Sequence, residues 1–77
     1  MPLNRIIDII AETMHCDRHA ITPQAKLASF GIDSLKAINI VYELEEEFGI
    51  EVPNEAIAEL ETVQDIEQAI TKLLAEK

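Results

Sequence analysis

The stretch from Asp33 to Gly49 limits this chain more than any other, because it has the start, body and stop of one helix. Asp33 is a good N-cap, since its carboxylate can accept from the unpaired N–H groups of a first turn. Gly49, just past Phe48, can take the left-handed conformation that ends a helix. Ahead of the cap, Gly31 can supply a positive φ for a tight turn without steric cost. In between, at about 100° per residue, Ala37, Ile40, Val41, Leu44 and Phe48 share one face, which is a core stripe. Leu35, Ile38 and Tyr42 form a second stripe, centred about 140° away. One stripe docks a helix in a small bundle. A second is either buried by further neighbours or left open for a partner. Asn39, Glu45 and Glu46 flank it, and an apolar strip with an acidic rim reads as a protein-docking surface. The expectation is an open strip.

The remaining apolar spacing fits around that helix. Leu3, Ile6, Ile7, Ile10 and Met14 predict a first amphipathic helix of about three turns, with Ile9 widening its apolar arc. From Ala20 to Ile32 no period is sustained, and Ile21, Leu27, Phe30 and Ile32 read as a long loop pinned across a core. Loops this long are uncommon and often functional. Pro53 stops helical continuation backwards, and Asn54 can cap a short third helix from Glu55 to about Leu60, with Ile57 and Leu60 inward. Thr62-Val63-Gln64-Asp65 is a capping box with Asp in place of Glu. It starts a fourth helix marked by Val63, Ile66, Ala69, Ile70 and Leu73. The fold class is all-α: a small four-helix bundle, three longer helices and one short, with a long first loop. Residues 1–77 are expected to form one domain.

Composition narrows the function. Fifteen acidic residues against six basic ones give a net charge of −9, which argues against nucleic acid and anionic membrane as partners. It suits docking onto basic patches of other proteins. No run approaches the roughly 18 apolar residues of a membrane span, and Met1-Pro2-Leu3-Asn4-Arg5 does not begin a secretory signal, so the expected location is cytoplasmic. The single Cys16 excludes an internal disulfide. His15-Cys16-Asp17-Arg18-His19 lacks further ligands at workable spacing for zinc and reads as a solvated helix end, with Cys16 half-buried.

Ser34 falls at about the first helical position, its Oγ near the positive end of the helix dipole. A phosphate esterified there would meet free backbone N–H groups. Gly31 followed by Asp33-Ser34-Leu35, then Leu44-Glu45-Glu46-Glu47-Phe48-Gly49-Ile50 and Val52-Pro53, resembles the acyl carrier proteins over roughly the whole chain. The resemblance implies that Ser34 carries a covalent 4′-phosphopantetheine arm, drawn from coenzyme A, whose thiol holds acyl groups as thioesters. It implies that Asp33 and Leu35 flank the attachment site, and that the short third helix closes over a cavity that shelters the acyl chain. It further implies docking through Leu35, Lys36, Ile38, Asn39, Tyr42, Glu45 and Glu46. The implied partners are a phosphopantetheinyl transferase, acyl-loading enzymes, ketoacyl synthases, reductases and acyltransferases, with the chain itself a monomer and not an enzyme. One departure stands out. The fatty-acid-synthesis type usually has acidic residues shortly after its Ser-Leu and one turn later, where this chain has Lys36 and Asn39. Lys36 can pair with the arm's phosphate, but it weakens the acidic patch and points to a dedicated lipid, polyketide or related pathway.

Three other readings stay open. Ser34 as a nucleophile would need a base and an orienting group within reach, and His15 and His19 both lie in one short segment. An unmodified acidic adaptor would use the Leu35/Ile38/Tyr42 strip alone. An aminoacyl or peptidyl carrier would share the arm and differ in what loads it.

Overall fold

The computed structural model describes residues 2–76. The helices are α1 (Pro2–Met14), α2 (Ser34–Phe48), α3 (Asn54–Ala58) and α4 (Val63–Glu76). Two 3-10 turns, Arg18–Ala20 and Leu27–Phe30, punctuate the connection between α1 and α2. The all-α bundle expected from the spacing is therefore observed, with no strand among the described residues. α1 packs against both α4 and α2, and α3 lies against α2. Among the described residues, Ile6, Ile10, Ile40, Val41, Leu44, Val63 and Ile70 are the most deeply buried side chains, and no polar side chain is buried with them. Ile9 is buried too, so the apolar arc of α1 spans more than one stripe.

Helix boundaries follow from capping chemistry. Thr62 Oγ1 accepts from the Asp65 N–H at 3.1 Å while Asp65 Oδ2 accepts from the Thr62 N–H at 3.1 Å. That reciprocal pair is the capping box, working with the shorter acid. At the far end of α2, Gly49 sits at φ 66°, and the N–H groups of Gly49 and Ile50 both donate to the Glu45 carbonyl. α1 ends differently: His15 takes the left-handed position at φ 56°, and the Cys16 N–H reaches back to the Ala11 carbonyl at 3.0 Å. Cys16 is half-buried. Just beyond, the backbone and then the ring of His19 hydrogen-bond Asp17, which holds that carboxyl below its usual range.

The third helix needs correction. Asn54 is its first residue rather than its cap, and Ala58 rather than Leu60 is its last. Pro53 stands at the cap with φ −60° and ψ 147°, and its carbonyl takes the N–H groups of both Ala56 and Ile57, so the helix starts one residue early. No side chain caps it.

The long first loop is held by backbone pairing that no periodicity announces. The Leu27 N–H donates to the Glu61 carbonyl at 2.9 Å, the Val63 N–H to Ala25 at 3.1 Å and the Gln64 N–H to Pro23 at 2.8 Å. These bonds tie the loop to the connection between α3 and α4 and to the first turn of α4. With Ile21, Leu27 and Ile32 buried beneath it, the loop is fixed across the bundle.

Candidate functional site

The loop delivers the chain to α2 through Gly31, at φ 76°, whose N–H closes the 3-10 turn on the carbonyls of Leu27 and Ala28. A side chain at Gly31 would meet nothing within 4 Å, so the backbone angle, not crowding, calls for glycine. Two residues on, Asp33 caps α2. Its Oδ1 accepts from the Lys36 N–H at 2.9 Å, and its carbonyl accepts from Ala37 at 2.9 Å. Ser34 is consequently the first helical residue. It is exposed, and its hydroxyl makes no hydrogen bond among the described residues. The oxygen thus stands free at the electropositive end of a 15-residue helix.

A cleft of about 530 Å³ opens beside this serine. Its walls come from the 3-10 turn (Leu27), from α2 (Ala37, Ile38) and from α3 (Ile57, Ala58), with Lys26 and Glu61 also lining it. The resemblance implied a cavity under the third helix, while the spacing singled out Ile38 and Ile57 as apolar positions without joining them across it. In the spacing itself the irregular apolar residues of the loop were the one available signal, because the cleft is made by contact between distant segments.

The second stripe of α2 divides in two. Leu35 is 69% exposed and Tyr42 55%, whereas Ile38 is partly buried against the core and turned into the cleft. Lys36, Asn39 and Glu46 are exposed around the open part. The four glutamates of α2 are not equivalent. Glu47 pairs with Arg5 at 3.1 Å, Glu43 accepts from the Thr13 hydroxyl at 3.1 Å, and Glu45 accepts from the Val52 N–H at 2.7 Å. Among the described residues Glu46 alone of the four has no partner, and Lys36 likewise makes no ion pair. Glu45, expected on the acidic rim, is half-buried and bound to the chain leading into α3.

His15 and His19 do not line the cleft beside Ser34, and His19 is bonded to Asp17. Among the described residues no three His, Cys, Asp or Glu side chains gather as a metal would require, and no helix is long and apolar enough to cross a membrane.

The family of the phosphopantetheine attachment site matches residues 4–70, a span that includes the capped serine and its cleft. Over 69 residues the chain is 39% identical to the acyl carrier protein of Syntrophobacter fumaroxidans, covering 88% of this chain and 85% of that one. This chain belongs to the acyl carrier protein family. It is 35% identical over 74 residues to the acyl carrier protein of Thermosynechococcus vestitus, covering 95% and 91% of the two chains. Its fold superposes on the crystal structure of the Thermotoga maritima acyl carrier protein with a TM-score of 0.85 at 26% identity, over 95% of this chain and 86% of that one. As a member, the chain is an acyl carrier with a covalently attached 4′-phosphopantetheine, and its family works with biosynthetic enzymes.

The residues present fit such a group. An exposed serine oxygen without a competing partner, at the positive end of a helix, suits a phosphodiester. An adjoining cleft with apolar walls suits a hydrocarbon tail.

Proposed function

We propose that Ser34 Oγ is the point of attachment, and that residues 1–77 act as one carrier domain which leaves all bond making and breaking to its partner enzymes. The observation behind this is the free Ser34 hydroxyl, held at the capped start of α2 beside a cleft. Asp33 sets the helix start and so fixes where the oxygen points, and Leu35 presents an apolar contact next to it. When bound, the arm supplies a thiol that holds acyl groups as thioesters. The protein's own contribution is presentation and shelter. Tethering turns each encounter between cargo and enzyme into an effectively intramolecular one. The apolar walls near Ile38 and Ile57 favour a buried acyl tail by up to about 0.8 kcal/mol per methylene.

For docking, the reading favours the exposed Leu35 and Tyr42 with Asn39 and Glu46 around them, facing enzymes whose surfaces combine an apolar pocket with basic groups. Lys36 interrupts the acidic side of that face. We therefore propose a dedicated carrier, with partners distinct from those of general fatty acid synthesis.

Intact-mass analysis tests the attachment. Incubation with a phosphopantetheinyl transferase and coenzyme A should add one arm to the wild-type chain and none to Ser34→Ala. Addition to Ser34→Ala, or none to the wild type with several competent transferases, would refute the assignment.

A further inference from the structure

α3 is five residues long, has no side-chain cap and buries Ile57 alone. A helix this short does not hold itself together in water, so its place over the cleft depends on what fastens the chain at each end. Downstream, the Glu61 carbonyl accepts from the Leu27 N–H at 2.9 Å, which ties the exit of α3 to the long loop. Upstream, the fastening is the carboxylate of Glu45, whose Oε2 accepts from the Val52 N–H at 2.7 Å in a part-buried setting. Hydrogen bonds to a charged acceptor are about twice as strong as neutral ones. Partial burial also limits competition from water. Val52 lies just before Pro53, whose carbonyl receives the first two bonded N–H groups of α3. One side chain on α2 thus grips the segment that starts the opposite wall of the cleft.

We infer that Glu45 is a positioning residue: its carboxylate holds α3 against α2 as a wall of the cleft beside Ser34, and so sets how well the cleft retains an acyl chain and limits the access of solvent reagents to its thioester. The inference rests on the carrier reading above, and it gives Glu45 a role distinct from the docking face on which the sequence placed it. Without the carboxylate the Val52 N–H is left to water, and Ile57 becomes the main anchor of α3.

Two variants test it, Glu45→Ala and Glu45→Gln, the second keeping a side-chain oxygen able to accept from Val52. Amide exchange is followed on the chain without its arm. In Glu45→Ala the Val52 amide should exchange about 10- to 100-fold faster, with Ala56 and Ile57 following, while amides of α1 and α4 keep their wild-type rates. Glu45→Gln should stay within a few-fold of wild type. Unchanged Val52 exchange in Glu45→Ala, or equal loosening of α1 and α4, would overturn the positioning role. The same three proteins are then loaded with an octanoyl arm and, separately, an acetyl arm, and thioester cleavage by hydroxylamine is timed by mass. The octanoyl thioester of Glu45→Ala should be cleaved several-fold faster than wild type, Glu45→Gln should resemble wild type, and the acetyl forms should not differ. Equal octanoyl rates would overturn the control of access even if Val52 exchanges faster. A wild-type chain that accepts no arm refutes the carrier reading and the control of access with it, and the exchange data alone then decide whether Glu45 holds α3.

Discussion

His15 shows what a single residue can cost a small bundle. It is the one described residue other than glycine with a positive φ, 56°, and it holds the position where glycine usually ends a helix. The left-handed region costs an L-residue with a side chain about 1–2 kcal/mol, while glycine returns part of that through its greater freedom when unfolded. His15 is exposed, so little contact is lost on replacing it. His15→Gly should stabilise the chain by about 0.5–1 kcal/mol, which for a domain of this size raises Tm by about 2–8 °C. Thermal unfolding by circular dichroism checks it. A lower Tm would mean that the imidazole makes a contribution beyond its backbone position. The sequence marked this residue as part of a solvated helix end. It did not mark the strain, because a histidine at that place has the same composition signal whether its φ is negative or positive.

Between the two stripes of α2, burial differs by face. Leu44 is completely buried and Tyr42 is 55% exposed, although they are two positions apart on the same helix. Leu44→Ala should cost about 2–5 kcal/mol, a large share of the roughly 4–12 kcal/mol expected for a chain of this length. Tyr42→Ala should change stability by less than about 0.5 kcal/mol and act instead on partner binding. Urea unfolding separates the two, as a shift in midpoint at constant slope for Leu44→Ala alone. A destabilised Tyr42→Ala would place that ring in the packing of the bundle. The burial of Leu44 and the exposure of Tyr42 were legible in the sequence, since they follow from 100° steps along one long, well-capped helix. The turning of Ile38 into the cleft was not. The Thr62–Asp65 box was legible too, since its reciprocal bonds depend only on spacing. The start of α3 and the pinning of Leu27 to Glu61 were not legible. The first turned on Asn54, a residue well suited to cap a helix by its side chain, entering the first turn instead while the Pro53 carbonyl took the first N–H groups. The second joins residues far apart in the chain through backbone groups that every residue carries.

Across the whole molecule, a net charge of −9 makes the location of each cation matter. Arg5 is paired with Glu47 and Arg18 with Asp8, so those two guanidinium groups are already neutralised where they lie. Lys36 has no such partner among the described residues, and it stands exposed two positions after Ser34, beside the open Leu35. It is therefore a bare positive charge on a molecule of net negative charge, and an enzyme docking over Leu35 would have to meet it. An enzyme with a basic docking face is repelled by it at short range, and one with a carboxylate at that point is held. Lys36→Asp removes the repulsion and adds an attraction. Each exposed pair is worth about 0.2–1 kcal/mol, so the two terms together should tighten binding to a basic-faced ketoacyl synthase of general fatty acid synthesis by about two- to thirtyfold at low salt. The gain should shrink as ionic strength rises, because both terms act through solvent. The fold should be indifferent, because Lys36 makes no ion pair to lose and a carboxylate suits the first turn of a helix. Binding measured by calorimetry at two salt concentrations, with Tm as the control, decides the matter. Tightening that vanishes with salt supports a face set against general partners by Lys36, and unchanged or weaker binding would show that partner choice is written elsewhere on the surface.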